Sequence, residues 1–111
     1  MRSRAKKALE NEIYERQVAI CKAFANPTRL RILDMLAKRE QPGSTLRRQL
    51  GISMANLSQH LAILRSAGVV VTRRKGRHVV CALAIPEVKQ ACQLIRNVLR
   101  VQIRSGRRLT V

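Results

Sequence analysis

The stretch Gly51-Ile52-Ser53-Met54-Ala55-Asn56-Leu57-Ser58-Gln59-His60-Leu61-Ala62-Ile63-Leu64-Arg65-Ser66-Ala67-Gly68 decides the fold. Leu57, Leu61 and Leu64 recur at three- and four-residue spacing, which places them on one face of a helix. Ser53 is positioned to cap that helix, because its hydroxyl can accept from an amide in the first turn. Opposite the leucines stand Ala55, Asn56, Gln59 and Ala62, with Met54, Ser58 and His60 flanking them. Gly51 falls where a shorter preceding helix needs a left-handed residue to stop, and Ile52 supplies the apolar residue of the tight turn. That shorter helix holds Leu46 and Leu50, with Ser44 or Thr45 as its expected cap. Two helices joined by so short a Gly-containing turn make a helix-turn-helix.

Past Gly68 the period changes. Val69-Val70-Val71-Thr72 is β-branched and too short for a helix. Arg73-Arg74-Lys75-Gly76-Arg77 reads as a basic hairpin tip, and His78-Val79-Val80-Cys81-Ala82-Leu83 as the returning strand, with Val79, Cys81 and Leu83 on one face. A hairpin in this place is a wing. Upstream, Leu9, Ile13, Ile20 and Phe24 mark a helix over about residues 5–25. Asn26-Pro27 ends it and starts another, since Asn caps well and Pro suits the first helical position. Leu30, Leu33 and Leu36, with Ile32 and Ala37, give this second helix a broad buried face, and Pro42-Gly43 is read as a loop. Downstream, Pro86 opens a last helix whose stripe is Val88, Ala91, Cys92, Ile95, Val98 and Leu99. The expected fold is mainly α with a small β-hairpin, a winged helix-turn-helix in the order α-α-α-α-β-β-α. It fills one domain over 1–104 and leaves a basic, mobile tail at 105–111.

Charge narrows the partners. The 111 residues carry 23 Lys and Arg against 6 Asp and Glu, a formal net charge of +17. Between Gln41 and Pro86 there is no carboxylate, yet Arg47, Arg48, Arg65, Arg73, Arg74, Lys75 and Arg77 all lie there. A field of one sign attracts a polyanion. No run approaches the roughly 18 apolar residues that span a bilayer, the charged N-terminus does not read as a signal peptide, and three cysteines form an odd number without secreted spacing. A cytoplasmic protein without membrane association is expected. Two histidines and scattered acids offer no acid–base pair or nucleophile constellation, so an enzyme is not expected.

The helix after Ser53 fits a major groove: its uncharged N-terminal face is small or amide-bearing, and Asn and Gln can pair both edges of adenine. An ordinary polar surface helix would look similar in isolation; the adjoining turn and basic wing favour DNA. Met54, Ala55, Asn56, Ser58 and Gln59 are the expected base-reading residues. Arg47, Arg48, Ser53, Arg73, Arg74, Lys75 and Arg77 are expected at the sugar-phosphate backbone, where contacts fix register without reading sequence. Arg77 could also enter a narrow minor groove. The wing cations have no acid near them in the sequence, which argues against a merely solvated loop. The alternative is an architectural protein that coats nucleic acid without sequence preference and whose cysteines are only structural; single-strand coating usually needs stacking aromatics, and Tyr14 and Phe24 both fall on the first helix.

Four motifs in order, Phe24-Ala25-Asn26-Pro27-Thr28-Arg29-Leu30-Arg31-Ile32-Leu33, then Ser53 to Leu61 (SMANLSQHL), then Leu64-Arg65-Ser66-Ala67-Gly68-Val69-Val70, then Arg73-Arg74-Lys75-Gly76-Arg77, resemble the ArsR/SmtB family of winged-helix repressors. The resemblance covers about residues 18–100. It implies a homodimer paired through the first and last helices, bound to double-stranded DNA at an inverted-repeat operator and released by an inducer. It also places Ser58, Gln59 and His60 at the DNA surface, His60 as a backbone contact. The metal sites of the family are not matched: Gln41 to Leu46 holds no Cys cluster, and Lys89 to Val111 holds no carboxylate or His. A hard or borderline metal is therefore not expected, and no cofactor is required. That leaves Cys21 and Cys92, with Cys81 as a weaker third, as candidate sensing thiols for arsenite, another thiophilic ion, or a redox or sulfur species. Cationic surroundings would lower a thiol's pKa, although Cys also packs as a small hydrophobe.

Overall fold

Local chemistry sets most of the boundaries in the computed structural model, which describes residues 2–106. Helix α1 (Arg2–Phe24) ends at the Asn26-Pro27 punctuation, and α2 (Pro27–Lys38) starts with Pro at its first position and the Asn26 side chain accepting the Arg29 amide. Strand β1 (Gln41–Pro42) leads into α3 (Gly43–Leu50), followed by α4 (Met54–Ser66), β2 (Val70–Lys75), β3 (His78–Leu83) and α5 (Pro86–Arg104). The helix order, the wing and the Pro86 start match the sequence reading. Of the expected tail, Ser105 and Gly106 follow α5, and positions 107–111 lie outside the described residues.

Three local expectations fail. Neither Ser44 nor Thr45 caps α3, which starts at Gly43 after an extended Pro42 and has no side-chain cap. Pro42 is not loop: Gln41 and Pro42 pair antiparallel with Cys81 and Val80, so the sheet has three strands in the order β1-β3-β2. A proline is tolerated there because β1 is an edge strand that need not donate on its outer side. The buried Gln41 side chain donates to the Met35 carbonyl at 2.8 Å, which ties β1 to the end of α2. Finally, Arg73, Arg74 and Lys75 belong to strand β2, and the hairpin tip is only Gly76-Arg77 between the paired Lys75 and His78. Gly76 has φ +64°, and among the described residues no non-glycine has positive φ. That is the two-residue hairpin turn with glycine first, whose twist matches the strands.

The core gathers Ala23, Ile32, Leu33, Leu36, Leu46, Leu57, Leu64, Val69, Val70, Cys81 and Val88. These come from every helix and from the two long strands, with β3 lying against α2 and α3 and α5 packing on α2. Aliphatic side chains of this kind contribute roughly 1.5–3 kcal/mol each when fully buried. Cys81 lies in this core and Leu83 packs against it, while Val79, on the same strand face, is exposed near the hairpin tip. Leu30 departs from the expected buried face of α2: it is exposed and borders a groove with Ile95 and Leu99 of α5. Its neighbours in that groove belong to an apolar surface that this chain alone leaves in water.

Candidate nucleic-acid interface

The reader helix α4 is built as its sequence implies. Gly51, at φ +66°, stops α3 by donating its amide to the Arg47 carbonyl at 2.9 Å. Two residues later Ser53 is extended, and its Oγ accepts the Asn56 amide at 3.0 Å. Leu57 and Leu64 are fully buried and Leu61 packs against the core, so the helix is fixed by one face. Met54, Ala55, Asn56, Ser58 and Gln59 are all exposed on the remainder. The helix is held by apolar contacts, and its amide and hydroxyl side chains are exposed.

Cations frame this face on two sides. Arg47 and Arg48 are exposed on α3, and Arg74, Lys75 and Arg77 are exposed on the wing. Arg73 corrects the expectation that no acid stands near the wing: its Nη2 donates to Glu40 Oε1 at 2.8 Å. The two are far apart in sequence but adjacent once β1 has joined β3. Between α4 and the wing runs a cleft of about 300 Å³, lined by Met54, Leu57, Ser58, Leu61, Arg65, Arg77 and Val79 among others. Arg65, in the last turn of α4, donates to Thr72 Oγ1 on β2 at 3.1 Å and so links the reader helix to the wing. Its charge was legible in the sequence. Its partner was not, since nothing local pairs an α4 arginine with a strand threonine.

His60 differs from its neighbours. Ser58 and Gln59 face solvent, whereas His60 is half-buried with Nδ1 3.5 Å from Arg29 Nη1. Burial, and then the Arg29 charge, hold its pKa below the usual histidine value. The ring sits at the border between the exposed face and the body, where both effects disfavour its charged form.

The thiols occupy three environments. Cys21 is exposed on α1, Cys81 is buried in β3, and Cys92 is half-buried on α5. Beside Cys92 a groove of about 330 Å³ between α2 and α5 is lined by Asp34, Lys38, Lys89, Gln93 and Arg96. Arg96 donates across it to Asp34. The expected acidification by nearby cations is not found at Cys92 or Cys81. Burial pushes the Cys92 thiol up and Asp34 pushes it further, with Arg96 opposing; burial pushes Cys81 up against Arg65. Desolvation of a thiolate outweighs a single partly solvated cation. Among the described residues no three His, Cys, Asp or Glu side chains gather as metal ligands, and no helix is long and apolar enough to cross a membrane.

Residues 24–73, which contain the helix-turn-helix, match the family model described as a helix-turn-helix domain. The chain is 37% identical over 93 residues to the HTH-type transcriptional regulator Rv0081 of Mycobacterium tuberculosis, covering 82% of each chain. The crystal structure of Rv0081 superposes with a TM-score of 0.79 at 33% identity, over 85% of this chain and 95% of that one. The transcriptional activator HlyU of Vibrio cholerae is 41% identical over 80 residues, 72% of this chain and 74% of HlyU. The homodimeric winged helix-turn-helix domain of Mb0332 from Mycobacterium bovis, described as a possible ArsR-family regulator, gives a TM-score of 0.79 at 25% identity, over 92% and 94% of the two chains. With its four motifs in order, its exposed reader helix between two sets of cations and these relatives, the chain belongs to the ArsR/SmtB family of winged helix-turn-helix DNA-binding transcriptional regulators.

Proposed function

We propose that two copies of this chain pair through α1 and α5 and repress transcription by lying across an inverted-repeat operator in double-stranded DNA. The observation that carries this reading is the exposed face of α4: Leu57 and Leu64 are buried in the body, Leu61 packs against it, and Met54, Ala55, Asn56, Ser58 and Gln59 are exposed. Asn56 and Gln59 pair with adenine edges, and the smaller side chains let the helix approach the groove floor. Arg47, Arg48, Ser53, His60, Arg73, Arg74, Lys75 and Arg77 hold the sugar-phosphate backbone, with the tip residue Arg77 able to reach the minor groove.

Pairing is supported by what a lone protomer leaves in water. Leu9, Ile13 and Val18 on α1, and Ile95, Val98 and Leu99 on α5, are between 39% and 59% exposed. An apolar surface of that extent marks an interaction site. A twofold pair sets two reader helices one DNA turn apart, roughly 34–36 Å, which demands an inverted repeat. Binding needs no cofactor. Release follows from a change at the thiols, Cys92 and Cys21 first and Cys81 last, by arsenite, another thiophilic ion or an oxidised sulfur species.

Polarisation-based competition between the upstream DNA of the gene and random duplex, followed by transcription in vitro from that promoter, tests the reading. The upstream fragment should win by at least about a thousandfold, as specific binders do, and transcript should fall. Equal affinity for random duplex would instead establish an architectural coat. Increased transcript would reverse the sign of control. Mass spectrometry after arsenite, peroxide or polysulfide treatment, paired with loss of DNA binding, tests the thiols; unmodified cysteines in protein released from DNA would exclude them.

A further inference from the structure

Arg29, in the first turn of α2, makes more contacts than an ordinary helix-surface arginine. Its amide donates to Asn26 Oδ1 at 3.1 Å, Nε donates to the Ala23 carbonyl at 2.8 Å and Nη2 to the Lys22 carbonyl at 3.0 Å. Those carbonyls end α1, where helical partners run out. The remaining arm, Nη1, lies 3.5 Å from His60 Nδ1 on α4. One guanidinium, carried on the first turn of α2, thus touches both the end of α1 and helix α4.

A guanidinium has donors only and keeps its proton in proteins. The contact is attractive only when Nδ1 carries a lone pair, which places the proton of a neutral imidazole on Nε2. A ring protonated at Nδ1 would set N–H against N–H beside a positive charge. The ring's second nitrogen then carries a donor on the side away from Arg29. We propose that Arg29 is a positioning residue that holds His60 as its neutral Nε2–H tautomer, so that this N–H donates to a phosphodiester oxygen of bound DNA. The proposal rests on the reading of His60 as a backbone contact. It gives that contact a particular chemistry: His60 binds as a neutral donor and displaces no counterion, unlike the wing cations. Among the described residues Arg29 is the charged group that acts on the ring, and burial supports the same neutral form.

The test uses the full chain labelled with ¹⁵N-histidine. Long-range proton–nitrogen correlation spectra identify the protonated ring nitrogen, and His60→Gln distinguishes His60 from His78. The wild-type ring should show Nε2–H. In Arg29→Lys, which keeps the charge but gathers its donors on one nitrogen instead of a planar fork spanning the three acceptors, the tautomers should mix. DNA affinity supplies the second measurement. His60→Asn, which lacks a group at the Nε2 position, should lose about three- to tenfold, the range for one hydrogen bond; His60→Gln should lose less, and neither should alter the salt slope. Arg29→Lys should cost a similar factor in wild type but little in the His60→Asn background, the coupling expected of residues acting in series. Equal losses in both backgrounds, or a wild-type proton on Nδ1, would overturn the role of Arg29. Wild-type affinity in His60→Asn would overturn the underlying reading of His60 instead. Should Arg29→Lys not fold, the wild-type spectrum and the Asn–Gln comparison still decide.

Discussion

Neutralising Glu40 should strengthen DNA binding although Glu40 is not among the residues assigned to base reading. Its carboxylate holds Arg73, the first cation of the wing, at 2.8 Å, with the two side chains 46% and 58% exposed. An ion pair so open to water contributes less than about 1 kcal/mol to stability, so Glu40→Gln should unfold at nearly the wild-type temperature. Its effect belongs to the complex. The substitution frees one cation per protomer, two in a dimer, and each phosphate neutralised adds about −0.9 to the slope of log affinity against log salt. The slope should steepen by about 1.8, so that between about 50 and 200 mM salt the variant loses roughly twelvefold more affinity than the wild type. Backbone contacts carry no sequence information, so operator and random duplex should gain alike at low salt. Fluorescence polarisation on both duplexes across that range measures it directly. Parallel salt slopes for the two proteins would refute the idea that Glu40 withholds Arg73 from the DNA backbone, and a gain confined to the operator would refute the division between base and backbone contacts.

The remaining predictions concern reading, pairing, the wing turn and the thiol. Asn56→Ala or Gln59→Ala should cost about 1–3 kcal/mol on the operator and relax base preference at one position, whereas Arg77→Ala should weaken operator and random duplex alike and flatten the salt slope; competition titrations separate the patterns. Leu99→Glu, on the exposed stripe of α5, should convert a dimer to monomer in sedimentation without unfolding the protomer, since the side chain is 39% exposed there; a persistent dimer would move the interface elsewhere. Gly76→Ala meets open space but at φ +64°, so strain should lower stability by about 1 kcal/mol in denaturant titrations, and no loss would contradict the turn. Cys92, whose thiol burial and Asp34 push up, should alkylate slowly at neutral pH and faster as pH rises; Asp34→Asn removes a raising charge and should increase the rate at fixed pH. A slower rate in that variant would mean that Arg96, freed of Asp34, closes over the thiol.

Much of the architecture is written in short-range chemistry. The Ser53 cap, the Asn26-Pro27 start of α2, the Gly51 stop and the leucine spacing of α4 act within about one helical turn, and each appears where the sequence places it. The exposed face of α4 follows from the same periodicity, because burying Leu57 and Leu64 leaves Asn56 and Gln59 outward. Local rules failed where a competing partner came from far along the chain. Ser44 and Thr45 do not cap α3, which begins at Gly43 directly after the edge-strand residues Gln41 and Pro42. Cationic composition did not acidify Cys92, because a helix packed over it costs a thiolate more than one arginine returns.

By itself the sequence determined the order of helices and strands, the exposed face of α4 and the excess of positive charge, since these depend on residues a few positions apart. Tertiary structure alone decided which cations stay unpaired and which groups meet: Glu40 with Arg73, Asp34 with Arg96, Arg29 with His60, at separations of 33, 62 and 31 residues. Such pairs form where packed elements happen to bring charges within a few ångströms. No spacing rule along the chain encodes that proximity, because it exists only after the buried leucines and valines have fixed one helix against another.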